Sequence, residues 1–443
     1  MSVQTNSSFT RRGFIAGSSA TLGSMAAPLS GNTQSASARR LRIAQVGTGG
    51  RGTYWGRSII QNFGDVTQIV GLCDINPKRV EVAKEMIGSS APTFVDFDKM
   101  IGETKPDLVL VTTTDSAHYQ YIIRAMELGH DVLTEKPLCT DEQQCQAILD
   151  AEKKYGKKLI VGFNARHYPQ AKKIKQLMLD KAIGDVISID YQEYLDTSHG
   201  ASYFRRWHRI KEMSGTLLVS KSCHHFDQVN WWLNSNPVEV VAYGDLKFYG
   251  RNNSFRGTRC RNCLFEKKCQ FYTDITKNET AMKLYVNCES EDGYLSDGCV
   301  WRQDANIYDT YSVMVRYENG ARLTYTANTF MPYEGQEICL NGTQGRIDFN
   351  MYGGGGYSDN QLRMTRNFGK SELITDLEFR KGGHGGADPS LHDLIFRGQG
   401  APDPLGLKAS SLAGAYSSLV GIGAYRSIER GGERVRISSL VKL

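Results

Sequence analysis

The sequence predicts two α/β units in series, an N-terminal doubly wound parallel sheet and a C-terminal α/β domain built on a large open antiparallel sheet. Three observations carry this. A β-forming run passes directly into a glycine-rich turn and a helical stretch between residues 41 and 60. Strand and helix patterns then alternate to residue 163, and beyond it strands follow one another across short turns. Alternation buries helices on both faces of a parallel sheet, whereas successive strands form a separate layer. A chain of 443 residues is long enough for both cores.

Leu41-Arg42-Ile43-Ala44-Gln45-Val46 alternates in the manner of a strand. It runs into Gly47-Thr48-Gly49-Gly50-Arg51-Gly52, a G-x-G-x-x-G, and then a helix through Ile59 and Ile60. The second strand, Thr67–Cys73, ends at Asp74. Glycines in that order let a backbone approach a pyrophosphate at a helix N-terminus. An acid about 20 residues further on can accept hydrogen bonds from the adenosine ribose hydroxyls. Asp74 repels a 2′-phosphate, so NAD is favoured over NADP. Helices follow at Pro77–Met86 and Tyr119–Leu128, and strands at 107–112, 131–134 and 159–163.

Residues 1–38 stand apart from this pattern. Arg11-Arg12 precedes Phe14-Ile15-Ala16, a weakly apolar stretch reaches Pro28, and Ala36-Ser37-Ala38 follows. Pair, apolar stretch and A-x-A in that order read as a twin-arginine signal peptide, with export to the periplasm or beyond. The segment has no cysteine, so no lipid anchor is expected, and no apolar run in the chain approaches a membrane span. The expected domains are then residues 39–163 and 164–443. The net charge of +6 is scattered and argues against nucleic acid and anionic lipid as partners.

Farther along stands "VTTTDSAHYQYIIRAMELGHDVLTEKP", flanked by "GLCDINPKR" and "VGFNARHYP". These segments resemble the Gfo/Idh/MocA oxidoreductases (glucose–fructose oxidoreductase, inositol dehydrogenase and relatives). The resemblance implies a Rossmann domain, an open-sheet second domain, hydride transfer between nicotinamide and a sugar or polyol carbon, and a homo-oligomer formed through the open sheet. It places the catalytic lysine of E-K-P on Lys136. It also places Thr113, His118, Glu135 and Asn164 beside Gly47, Gly49, Gly50, Arg51, Gly52 and Asp74 around the cofactor. A lysine at a strand end can hydrogen-bond an alkoxide-like oxygen, and the following Lys136–Pro137 bond is a candidate cis peptide.

In the second half, residues 170–181 read as a helix, 186–194 and 238–249 as strands, and 337–349 as a strand pair. Tyr311–Tyr317 and Ala321–Ala327 flank Asn319-Gly320 and predict a hairpin with a type I′ turn. "SGTLLVSKSCHHFDQVNWWL" resembles the family's second catalytic segment. In that register His224 is the catalytic histidine and Asp227 the final acid, while Ser220 takes the place of the usual aspartate, next to Lys221. His225, a helix step away, is expected to be structural. Arg166, Arg206, Trp207, Lys221, Asp227 and His384 are the substrate candidates; arginine and aromatic side chains stack on sugar faces and donate to hydroxyls.

Cys260-x-x-Cys263 and Cys269 lie in an insertion near 255–300. A structural zinc and disulfides formed after export are both open readings, because no second C-x-x-C pair is present. For an exported enzyme, NAD must stay bound and be restored in each cycle. An oxidoreductase on a sugar or glycoside hydroxyl with recycled NAD is expected. A redox-neutral glycoside hydrolase and a non-catalytic sugar-binding protein are the alternatives.

Overall fold

Each strand of the first half forms where a β-branched, apolar run meets a turn residue. The computed structural model describes residues 39–354 and 357–442. β1 (Leu41–Val46), β2 (Thr67–Cys73), β3 (Thr93–Phe94), β4 (Leu108–Val111), β5 (Asp131–Thr134) and β6 (Leu159–Val161) pair in parallel, in the spatial order 6-5-4-1-2-3. The helices between them are capped by their own sequence. Asn76 accepts from the Arg79 amide ahead of Pro77–Ile87, Gly88 closes that helix in the left-handed region, and Asp141 caps Glu142–Tyr155. The strands are apolar on both faces and lie between helices, as a parallel sheet requires.

The second half builds β7 (Val186–Asp196), β8 (Pro237–Asp245), β9 (Thr310–Tyr317), β10 (Arg322–Met331), β11 (Glu334–Gly342), β12 (Gly345–Gly354), β13 (Tyr357–Arg366) and β14 (Ser371–Ile374). Two short strands follow, β15 (Ala409–Ser410) and β16 (Val435–Arg436). The large sheet runs 14-13-12-11-7-10-9-8-16. It is antiparallel except where β10 lies parallel to β7. Ile189, Tyr191, Val313, Val315, Leu323 and Tyr325 are buried on one face, while Asp190, Gln192, Met314, Arg316 and Thr324 are exposed on the other. The homo-oligomer that the resemblance implies would form through this open sheet.

Three expectations are corrected. The strand expected to reach residue 249 ends at Asp245. The buried Asp309 carboxylate accepts from the amides of Lys247, Phe248 and Tyr249 at 2.8, 2.7 and 2.9 Å, and this curls the chain away from the sheet. The hairpin turn is not type I′. Gly320 alone has positive φ, +85°, and Tyr317 and Ala321 close a three-residue loop by a 3.0 Å backbone hydrogen bond. Third, β13 and β14 extend the sheet beyond the pair read from the sequence.

The two halves interlock. β15 adds antiparallel to β6, and helix Ser411–Glu429 packs against β6, β8 and helix Cys223–Leu233. Helix Ala387–Phe396 closes one apolar face of the first sheet with Leu391, Ile395 and Phe396. From Arg39 onward the chain is one compact unit. Among the described residues no helix is long and apolar enough to cross a membrane. The twin-arginine expectation falls on residues outside those described.

Gly320 has no neighbour within 4 Å of a built Cβ, so only its backbone conformation resists substitution. Gly320→Ala is expected to cost about 1–2 kcal/mol in chemical denaturation, and Gly320→Asn less, because asparagine tolerates the left-handed region.

Candidate active site

The turn after β1 is shaped by contact. Gly47 has φ +87°, and a Cβ there would lie 2.6 Å from the Thr112 and Thr113 backbone; at Gly52 it would lie 2.1 Å from the Gly47 carbonyl. Any side chain would part the turn from β4 or from its own helix. Gly52 therefore supports the turn from behind, whereas Gly47, Gly49, Gly50 and Arg51 line a cavity of about 1030 Å³. Asp74, Thr113, His118, Glu135, Lys136 and Asn164 also line it. So the structure brings the expected cofactor residues together, with Gly52 displaced into a packing position.

Asp74 is buried with both oxygens engaged within the protein, so it meets the ribose hydroxyls expected of it only by giving up one of these contacts. One oxygen accepts from the Thr48 amide and hydroxyl at 2.8 and 3.1 Å, the other from the Asn76 amide at 3.0 Å and Arg79 Nη1 at 3.2 Å. Arg79 also meets Asp292 at 2.5 Å. Two carboxylates thus match its charge, which is not left over for a phosphate. His118 holds its ring nitrogens 2.8 Å from the Pro137 carbonyl and 3.2 Å from that of Thr113, joining the β4 and β5 turns. The Lys136–Pro137 bond is cis.

Lys136 Nζ donates to the Ser220 carbonyl at 2.9 Å. Burial pulls its pKa down, but the acidic groups of Cys223, Asp115, Tyr203 and Glu135 outweigh this and raise it, so Lys136 is an ammonium. His224 lies across the cavity with Nδ1 buried and unpartnered. Burial, then the charges of Lys136 and Lys221, hold it well below the usual imidazole range, so its ring is neutral. Arg51 ties the site together. It meets Glu135 at 2.7 Å and Asp388 at 2.9 Å, and Asp388 accepts from Asn164 at 2.8 Å and pairs with His384 Nδ1 at 2.7 Å.

The far wall comes from the second half. Arg206, Trp207, Lys221 and His384 line the cavity as expected of substrate residues. Arg166 and Asp227 do not. They form a bidentate ion pair at 2.7 and 2.6 Å, and Arg166 also donates to the Gly406 carbonyl. Both side chains are almost wholly buried, so they hold helix Cys223–Leu233 against the 3-10 turn Asn164–His167 and touch no ligand space. His225, expected to be structural, does line the cavity, with Glu193 3.6 Å from Nε2. Glu193 is itself a residue that sequence reasoning missed. It pairs with Lys221 at 3.2 Å and accepts from Gln336 at 2.8 Å. Its one signal was an acid at an inward position of the alternating strand β7. Asp115, Tyr203, Tyr285 and Tyr294 were missed as well.

The cysteine insertion is held by charge. Arg259 and Arg261 pair with Glu289 and Asp297, and Arg205 donates to Cys260 Sγ at 3.0 Å. All ten cysteines are free thiols. Among the described residues no group of three or more His, Cys, Asp or Glu side chains is placed to hold a metal. Cys260, Cys263 and Cys269 are therefore assembled neither as zinc ligands nor as disulfides.

Two family profiles cover this architecture. Residues 41–163 match the GFO_IDH_MocA oxidoreductase family, NAD-binding Rossmann fold, and residues 175–437 match its C-terminal alpha/beta domain. The chain belongs to the Gfo/Idh/MocA oxidoreductase family. As a member it is an NAD-binding oxidoreductase. It is 37% identical over 397 residues to YteT of Bacillus subtilis, covering 84% of this chain and 92% of that one. It is 26% identical over 176 residues to an inositol 2-dehydrogenase/D-chiro-inositol 3-dehydrogenase of Lactiplantibacillus plantarum, covering 40% and 47% of the two chains. The aldose-aldose oxidoreductase of Caulobacter crescentus shares the fold of this Gfo/Idh/MocA chain, with TM-score 0.61, 18% identity and coverage of 90% and 100%.

Asp227→Ala is expected to destabilise the protein by about 3–5 kcal/mol by stranding Arg166 in a buried site. The double change Arg166→Met/Asp227→Leu should cost less than that single change. Denaturant midpoints check the order.

Proposed function

We propose that this chain oxidises a ring hydroxyl of a carbohydrate or glycoside and returns the hydride from NADH to the carbonyl of a second sugar, with the cofactor kept in its groove between turnovers. One observation carries the reading: a single cavity runs from the glycine turn, past Lys136 and His224, to the polar wall of Glu193, Lys221 and Arg206. When bound, NAD supplies the acceptor for the hydride. The Lys136 ammonium donates to the substrate oxygen and favours the negative charge that develops there. Neutral His224 donates its ring N–H to the same oxygen and orients it. Lys221, Glu193 and Arg206 suit a polyhydroxylated ligand, and the names of the inositol and aldose relatives point the same way.

Retention of the cofactor is supported by the insertion. It lies across the groove: Leu284 is buried in the apolar cluster of the first sheet, and the Tyr285 hydroxyl accepts from the Gly50 amide at 2.7 Å. Asn76 donates to the Cys288 carbonyl at 2.9 Å, and Arg79 donates to that of Leu284 at 3.1 Å. These contacts hold the insertion against the glycine turn, and the Tyr285 hydroxyl gives up the Gly50 amide when a pyrophosphate takes it.

A second reading, redox-neutral glycoside cleavage, is favoured by the His384–Asp388 pair. Asp388 holds Nδ1, and the other ring nitrogen of this exposed histidine remains at the cavity for acid–base chemistry on a leaving group.

After exhaustive dialysis, with a second, carbonyl-bearing sugar supplied to take the hydride back, the protein is expected to turn over a sugar and glycoside panel without added NAD, read by mass spectrometry; a strict need for fresh NAD overturns retention. Leu284→Ala, which loosens the insertion from the first sheet, should speed NAD loss about tenfold or more because buried packing worth about 2–5 kcal/mol is lost, measured by fluorescence of bound NADH. In deuterium oxide, glycoside cleavage through a keto sugar places solvent deuterium on the carbon beside the oxidised one. Simple oxidation of the hydroxyl leaves that carbon's hydrogen in place.

A further inference from the structure

Oxidising an alcohol releases one proton for each hydride given up, and the two groups placed at the hydroxyl are poor places to keep it. Lys136 already carries its full complement of protons. His224 resists protonation because it is buried among cations. A third group is at hand. Asp115 opens the single 3-10 turn after β4, is 5% exposed, and lines the cavity. Its Oδ2 is buried with no hydrogen-bond partner. A buried carboxylate oxygen without a partner is costly unless the group is used in its neutral form.

The groups that face Asp115 come from four elements. Lys136 and Glu135 stand on the turn after β5, Arg206 follows helix Thr197–Arg205, Ser220 ends the short helix Leu217–Ser220, and Cys223 begins helix Cys223–Leu233. Lys136, Arg206 and the Ser220 side chain favour the carboxylate; Glu135 favours the acid. Burial outweighs them and pushes Asp115 up to about 7, where both forms are populated near neutral pH.

We infer that Asp115 is the proton acceptor of this site, acting through Lys136. The inference rests on the hydride-transfer reading above. As the hydroxyl O–H bond breaks, its electron pair stays on oxygen and becomes part of the new carbonyl. The proton joins Lys136 as Lys136 turns from the Ser220 carbonyl and passes one of its own protons to the unpartnered Asp115 Oδ2. Lys136 ends as it began, and the Asp115 carboxylate ends as the carboxylic acid. In reduction the same path runs backward. Asp115 is a positioning and proton-storing residue; Lys136 is the group that touches substrate.

Two measurements test this, and the first needs no turnover. Difference infrared spectra of the purified full chain, from about pH 5 to about pH 9, should show a carboxylic acid carbonyl band that titrates near 7. Asp115→Asn should abolish the band. Lys136→Met should move its midpoint upward by about one pH unit or more, because an opposing charge has been removed. A band unaffected by either change overturns the proposal even if sugar oxidation proceeds; loss of sugar oxidation with the band intact instead overturns the hydride-transfer reading.

The second is the pH profile of oxidation. The rate should fall as pH drops through 7 in the unaltered protein. Asp115→Asn should lower kcat on the order of 10²–10⁴-fold with little change in KM, and should remove that limb. Adding Ser220→Asp to the Asn variant should restore at least about a tenth of the lost rate by returning a carboxylate beside Lys136. An Asn variant that keeps both rate and limb, or a double variant no faster than the single, overturns the assignment.

Discussion

The site depends on one guanidinium. Arg51 leaves the glycine turn and sits between Glu135, which precedes Lys136, and Asp388, which begins the returning helix Ala387–Phe396. Both carboxylates are buried. Burial alone would raise their pKa values, yet the charge and hydrogen bonds of Arg51, with Lys136 on one side and His384 on the other, lower both. Three segments far apart in the chain are thereby locked at one point. Breaking a buried pair of this kind costs about 3–5 kcal/mol, because the partner left behind is charged and dry. The indole of Trp55 adds a 2.6 Å hydrogen bond to Glu135, which further orients the turn that carries Lys136.

From that anchor the cavity divides electrostatically. At the far wall Lys221 and Glu193 neutralise each other, with Gln336 filling another acceptor site. Beside Lys136 the balance differs: its ammonium rests on a neutral carbonyl, not on a carboxylate. A cation held by a weak acceptor is free to turn to a stronger one, such as an oxygen gaining negative charge. At the opposite end the insertion covers the glycine turn. A segment without a large core of its own is secured by Arg259 and Arg261 against Glu289 and Asp297, and by burying Leu284 in another domain's apolar cluster.

Much of the first half was legible because local chemistry and final structure agree there. Asn76, Pro77 and Gly88 bracket their helix in sequence and in space, and the G-x-G-x-x-G forms the turn that its spacing suggests. The second half was read less well for specific reasons. Asn319-Gly320 suggested a two-residue turn, but closure by Tyr317 and Ala321 leaves Glu318 in the loop. Arg166 and Asp227 have the residue types of a sugar site, yet they lie 61 positions apart and meet each other in the interior. Glu193 stood in plain view in an alternating strand, and nothing local distinguishes an inward acid that pairs with Lys221 from an outward one that meets water.

The sequence by itself determined the strand and helix periods, the caps, the glycine turn and the family, because each rests on residues a few positions apart. Only the tertiary structure decided which side chains share the cavity. It set Asp115 and Lys136 in the lining of one cavity, Tyr285 upon Gly50, and Asp388 against Arg51, from segments up to 337 residues apart. Long-range pairing of charges depends on burial and mutual distance, and neither is written in the spacing of residues along a chain.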